Sequence, residues 1–360
     1  MEFQNPLNMN LIKERGSSMV RYPEKKYLLK YDLDLDLFNM LELEVNDVIP
    51  LRKVFILNTT EGKKILKRME YSREKIEFIN WCINSLNSDN ICRFKTYSDG
   101  SFYKVWKEEY YVVMDCIEGR ELNYSNPIEY IGAVDVLSEI HNSSKKVIDK
   151  LINNNELSNI IDNSLISKYI ECIEDIKEMK KWVKNYRYPN EFDKLFLSNI
   201  DIYIDEMENS LKLLQKSKYI ILRSDGRKLA ICHNDLAEHN FLINEEGISL
   251  IDFDYATVDI RILDLADILL KGIKNVAFEL EKGLNIIEEY NKENILCDEE
   301  YKLLYIIMLF PREFYSIVKN YYHKGKEWDE EVFINRFTNK INNDVYRREF
   351  LRDYKNIYKI

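Results

Sequence analysis

The segment HNDLAEHN, residues 233–240, packs two His, two Asn, an Asp and a Glu between the apolar runs LAIC and FLI, and acids return at once in IDFDYA. Unpaired charges beside buried strands are costly, so these groups need partners. FLINEEGISLID has the chemistry of a hairpin. Its apolar runs 241–243 and 248–251 are separated by Asn244, Glu245, Glu246 and Gly247, and Gly accepts the positive φ of such turns. Asn240 and Asp252 lie symmetrically about Glu246, so antiparallel pairing is expected to bring their oxygens together. Two hard oxygen donors suit Mg²⁺, which takes few protein ligands and completes its shell with water and phosphate. Asp235, at the edge of that pair, is placed to accept a hydroxyl proton while the metal neutralises a transferring phosphoryl group. Asp254 alternates with Asp252 and is expected either to share its face or to cap the following turn.

The elements that must hold these residues follow from periodicity. KVFILNTTEGKKILKRM is two apolar runs about a Thr-Thr-Glu-Gly turn, a hairpin by its chemistry. SREKIEFINWCINSL opens on a candidate cap, Ser72, and places Ile76, Ile79, Ile83 and Leu86 on one helical stripe. SFYKVWKEEYYVVMDCI gives two more strands across Lys-Glu-Glu. The stretch YLLKYDLDLDLFNMLEL mixes helical and strand periods and fits either class. From Ile128 the texture is helical, interrupted by the strand-loop-strand block of 229–254, and helices resume near 261. The expected organisation is therefore α+β and two-lobed: a flexible tail over 1–24, a small sheet-rich N-lobe with one helix over 25–117, and a large helical C-lobe over 118–360 that carries the inset hairpin.

Composition narrows the function. The 52 basic and 62 acidic residues give a formal charge of -10 without long single-sign blocks, which excludes the concentrated basic face that nucleic-acid binding needs. The acidic balance is compatible with a cationic substrate. Six Cys, at 82, 92, 116, 172, 232 and 297, show neither paired nor zinc-type spacing with the four His, and read as small buried hydrophobes of a reducing compartment. The N-terminal MEFQNPLNMNLIKERGSS lacks the apolar run of a secretory signal, and LLYIIMLF is too short to cross a bilayer. A cytoplasmic protein with no membrane partner is expected.

The spacing H-x-D-x-x-x-x-N, followed by a strand pair and D-F-x, resembles the catalytic and metal loops of the protein-kinase-like superfamily. HND and DFD are similar to its aminoglycoside phosphotransferase and choline kinase branch. That resemblance implies ATP as phosphoryl donor with Mg²⁺, a hydroxyl-bearing acceptor, Asp235 as base, Asn240 and Asp252 as metal ligands, and His233 as a brace for the loop. Asp264, in DLA, resembles the acid that ties this loop down from the next helix. Upstream, Lys67 in ILKR resembles the lysine that meets the nucleotide phosphates, with Glu74 or Glu77 as its partner. VVMDCIEG resembles the segment whose backbone, at Asp115 to Cys116, bonds adenine. No Gly-rich loop precedes Lys67, a departure from the branch's pattern. The run of ILKR, RYPNEFDKLFL, the two loops and PREFYSIVKNYY resembles the CotS-type spore coat proteins over about residues 30–330. This implies incorporation into the spore coat beside other coat proteins, either as an enzyme or as a non-catalytic coat component that keeps the fold.

Overall fold

The computed structural model describes residues 33, 35–51, 54–157 and 164–360; the expected tail over 1–24 lies outside the described residues. Contacts divide the chain into two compact units, one of residues up to Ser72 with Phe94–Cys116, the other of Arg73–Arg93 with Ile117–Ile360.

The first unit is an antiparallel sheet with a short helix. Helix α1 (Leu35–Met40) precedes β1 (Val45–Leu51), β2 (Val54–Thr59), β3 (Gly62–Met69), β4 (Lys104–Trp106) and β5 (Glu109–Asp115). The strand order is β1-β2-β3-β5-β4. The segment whose periodicity fits helix or strand thus supplies a helix, and it covers a core of Leu37, Phe38, Leu41, Val45, Leu57, Leu66, Tyr111 and Val113. The β2–β3 turn forms where Thr-Thr-Glu-Gly predicts it: Thr59 pairs with Gly62, and Gly62 sits at φ 99°. Lys107 and Glu108 both take positive φ, the backbone of a two-residue hairpin turn whose twist matches its strands.

In the second unit, α2 (Arg73–Ser85) starts directly after Ser72 and buries Ile76, Ile79, Cys82 and Ile83. The sequence reading groups this helix with the sheet, whereas its contacts group it with the C-terminal unit. Two long-range hydrogen bonds contribute to this grouping. The Lys75 ammonium donates to the Ala256 carbonyl at 2.8 Å, and the Leu250 amide donates to the Asn90 carbonyl at 2.7 Å, so both ends of the segment are tied to the loop region described below.

The remainder is helical: α3 (Pro127–Asn153), α4 (Leu165–Lys184), α5 (Glu191–Lys216), α6 (Tyr219–Ser224), α7 (Ile262–Ile273), α8 (Leu280–Glu293), α9 (Asp298–Leu309), α10 (Arg312–Tyr322) and α11 (Glu330–Tyr358). Start signals are legible at several of these. Asn126 accepts the Ile128 amide ahead of Pro127, and Asn190 with Asp193 forms a reciprocal cap on α5. Set among the helices are β6 (Arg120–Glu121), β7 (Leu229–Cys232), β8 (Phe241–Asn244), β9 (Gly247–Leu250) and β10 (Thr257–Ile260). β7 pairs with β10, and β6, β8 and β9 form a second small sheet. Gly119 permits that second sheet: a Cβ there would stand 2.8 Å from the Ile243 carbonyl oxygen. Among the described residues no helix is long and apolar enough to cross a membrane.

Candidate active site

β7 is buried at all four residues and delivers His233 to the head of the loop. Asp264, fully buried in the first turn of α7, accepts the His233 amide at 2.6 Å and the Asn234 amide at 2.8 Å. Two main-chain donors on one carboxylate hold the chain through a left-handed turn at Asn234, φ 65°. The Asn234 side chain spans to the Thr257 hydroxyl and the Tyr255 carbonyl. His233 is buried and its ring is fixed at both nitrogens: Nδ1 accepts the Asp235 amide at 3.2 Å, so Nε2 carries the proton and donates to the Ile251 carbonyl at 3.0 Å. The imidazole thus links the loop to the end of the β8–β9 hairpin.

Asp235 emerges half-buried from this brace. Lys271 of α7 donates to its Oδ1 at 2.8 Å, and the Asn240 amide group donates to its Oδ2 at 3.3 Å and to its backbone carbonyl at 2.8 Å. Burial pushes the carboxyl pKa up, but the hydrogen bond and charge of Lys271 outweigh it and leave the group below its ordinary value. Asp235 is therefore held as a carboxylate, the state a proton acceptor requires.

Asn240 is buried. Because its Nδ2 is committed to Asp235, Oδ1 is the atom it offers a cation. The hairpin register differs from the expected one by a residue. Phe241 pairs with Leu250 and Asn244 with Gly247, and the Ile251 amide donates to the Asn240 carbonyl, so Asn240 stands opposite Ile251 and not Asp252. The turn is two residues, Glu245 and Glu246, because the Asn244 side chain accepts the amides of Glu246 and Gly247 and Gly247 takes φ 137°. Asp252 then turns the chain in a left-handed conformation, φ 67° and ψ 68°, and its side chain is exposed. Phe253–Tyr255 form one 3₁₀ turn, so the strand alternation expected to put Asp254 on the face of Asp252 does not occur.

Of the remaining expected residues, Lys67 lies on β3 between Val54 and Val112, half-buried. Glu74 and Glu77 are exposed on the first turns of α2, with Glu77 paired to Arg73 at 2.8 Å. Asp115 ends β5 and pairs with Lys64 at 2.5 Å. The Cys116 amide donates to the Lys63 carbonyl at 3.1 Å, which extends the ladder one residue and engages the donor expected to face a base.

Further residues, outside the loop motifs, complete the arrangement. His141 of α3 donates through Nε2 to Asp264 at 3.2 Å and meets the Tyr290 hydroxyl at Nδ1, 2.7 Å away; with both nitrogens bonded, it is a satisfied core His. His141, Cys232 and Asp264 have ligand-type atoms within 4.8 Å of one another, but these hydrogen bonds already use the His and Asp atoms, and burial pushes the Cys232 thiol pKa well up. The cluster is a brace. Asp267 accepts the Leu236 amide and the Lys271 ammonium, each at 2.8 Å. Asp264, Asp267 and Lys271, spaced by three and then four residues, form one face of α7, and that helical spacing is the signal that marks them.

A sheet-bearing unit, a helical unit and a loop gripped by a helix acid define the class: an α+β, two-lobed, protein-kinase-like fold. An aminoglycoside phosphotransferase from Alicyclobacillus acidocaldarius subsp. acidocaldarius DSM 446 is similar with a TM-score of 0.73 and 17% identity, over 88% of this chain and 93% of that one. The AMP-bound spectinomycin phosphotransferase APH(9)-Ia is similar at 0.65 and 16%, over 88% and 97%. The profile described as "Spore coat putative kinase YutH" matches residues 42–354, and the chain belongs to that family. Spore coat protein S of Bacillus subtilis (strain 168) is 22% identical over 332 residues, 86% of this chain and 88% of that protein.

Proposed function

We propose that this protein is an ATP-dependent phosphotransferase that transfers the γ-phosphoryl group to a hydroxyl of a small-molecule acceptor. It is made in the cytoplasm and incorporated into the spore coat. One observation carries the reading: Asp235 is held as an oriented carboxylate by Lys271 and Asn240 on a loop gripped through its main chain by Asp264, within a kinase-like fold. In the step proposed, the acceptor hydroxyl oxygen bonds to the γ-phosphorus. The bond from that phosphorus to the β–γ bridging oxygen breaks, its electron pair leaves with ADP, and the hydroxyl proton passes to Asp235. Asn240 Oδ1 and the Asp252 carboxylate are hard oxygen donors of the kind Mg²⁺ takes; bound there, the ion would neutralise phosphate charge. Lys67, supported by Glu74 or Glu77, would bind nucleotide phosphates, and the backbone of Asp115 would meet adenine. In this reading residues 25–117 hold the nucleotide and 118–360 the catalytic loop and acceptor.

The test is thermal stabilisation by Mg²⁺-ATP, followed by transfer of labelled γ-phosphate to hydroxylated amines, sugars and coat proteins. Stabilisation with a labelled acceptor supports the reading; neither at millimolar nucleotide sinks it. A second reading, a coat scaffold without catalysis, is favoured by one feature. The segment NDVIPLR, residues 46–52, contains no Gly, so its sequence offers no counterpart of the flexible Gly-rich backbone that cradles phosphates elsewhere.

A further inference from the structure

The loop 233–240 contains no Lys or Arg, although phosphoryl transfer spreads negative charge over oxygens that need cations beside them. The cation comes from elsewhere in the chain. Lys271 stands 2.8 Å from both Asp235 Oδ1 and Asp267 Oδ2, with its side chain about a quarter exposed, at 24%. An ordinary pair four residues apart on a helix stays on that helix; this one reaches off it to the loop. Asp267 is itself tied to the loop by the Leu236 amide, so helix, lysine and loop form a closed circuit. The rotation of α7 is set two ways. Tyr130 donates to the Ile268 carbonyl at 2.6 Å, and its ring lies where a Cβ on Gly272 would clash, at 1.8 Å.

We infer that Lys271, aimed by Asp267, is a positioning residue of this site, which orients the Asp235 carboxylate and supplies on the acceptor side the positive charge that the loop lacks. The inference rests on the phosphotransferase reading. Lys271 and Asn240 occupy one lone pair on each oxygen of Asp235, and a carboxylate offers about four, so an acceptor hydroxyl can still donate its proton there. An ammonium group next to the reacting hydroxyl is repelled on this flank, so a cationic acceptor must carry its charge farther from the reacting carbon.

The experiment measures intrinsic hydrolysis of Mg²⁺-ATP, with water as acceptor, for wild type, Lys271→Met, Lys271→Gln and Lys271→Arg. The two neutral variants should lower kcat by about 100-fold, the scale of one lost electrostatic donor, with KM for ATP unchanged within about threefold; Lys271→Arg should recover most of the loss. Lys271→Gln keeps a donor and a similar stem should Lys271→Met fail to fold. In parallel, the Lys271 ammonium is observed without nucleotide by ¹⁵N-lysine NMR, and its resonance should move in Asp235→Asn. A neutral variant with wild-type kcat, a loss confined to KM, or a resonance indifferent to Asp235→Asn overturns the inference. A wild type that neither binds nor hydrolyses Mg²⁺-ATP overturns the underlying reading instead, and the inference with it.

Discussion

Asp235 and Asp252 differ in how the fold treats them, and the roles proposed for them separate accordingly. Asp235 is half-buried and receives Lys271 and Asn240; Asp252 is exposed at a left-handed bend. Asp235→Asn is expected to abolish phosphoryl transfer, by roughly 1,000-fold or more given loss of both base and orientation, while Mg²⁺-ATP affinity by calorimetry changes little. Asp252→Asn should do the reverse in emphasis, weakening Mg²⁺-dependent nucleotide binding about tenfold or more. Calorimetry that finds equal affinity for Asp252→Asn and wild type would remove Asp252 from the metal site. At this scale the sequence is readable where chemistry is local. Asp235 and Asn240 share one loop, and their spacing names them. Lys271 is 36 residues from Asp235, so no local pattern links them until α7 folds back. The off-by-one register at Asn240 had a different cause: symmetry about Glu246 ignores the Asn244 side chain, which closes a tighter turn.

α7 is the element on which the site depends. Its Asp264 accepts from His233, Asn234 and His141 in a fully buried setting. Burial pushes the Asp264 carboxyl pKa up, and the hydrogen bond and charge of His141 with the Asn234 amide bond bring it below the ordinary value. Asp264→Ala strands three donors and should cost about 3–5 kcal/mol of stability, read as a lowered urea midpoint. The N-terminus of the same helix is anchored by a second acid. Glu300 of α9 accepts Arg261 at 2.9 Å and Lys228 at 2.5 Å. Burial raises its pKa, but Arg261 and Lys228 overcome this and hold it below the ordinary glutamate value. A depressed folded-state pKa stabilises fully above the unfolded value and is lost as pH falls through the folded one. Wild-type stability should therefore drop more steeply below about pH 4.5 than that of Glu300→Gln, and the gap between the two should narrow on acidification. A constant gap from pH 7 to pH 3 would show that the pair carries no such linkage. Helix positions were legible where an apolar stripe such as Ile76, Ile79 and Ile83 announces them; β10 was not, since TVDI gains its strand character only from pairing with β7.

For the molecule as a whole, the two-lobed architecture was readable because strand alternation gives way to helical periodicity near residue 128. The grouping of α2 with the C-terminal unit was not readable, as it rests on contacts of Lys75 and Asn90 with residues more than 150 positions on. Binding that favours the folded state must raise apparent stability. Mg²⁺-ATP at about a hundred times its dissociation constant should add ~2.7 kcal/mol, and Asp252→Asn should erase most of that gain while EDTA reproduces the erasure in wild type. A melting temperature unmoved by nucleotide would favour the scaffold reading.

Asp264 grips the loop by the peptide groups of His233 and Asn234, and indifference to side-chain identity follows from that. The grip itself needs only two N–H groups, so proline at 233 or 234 would release the loop by removing a donor.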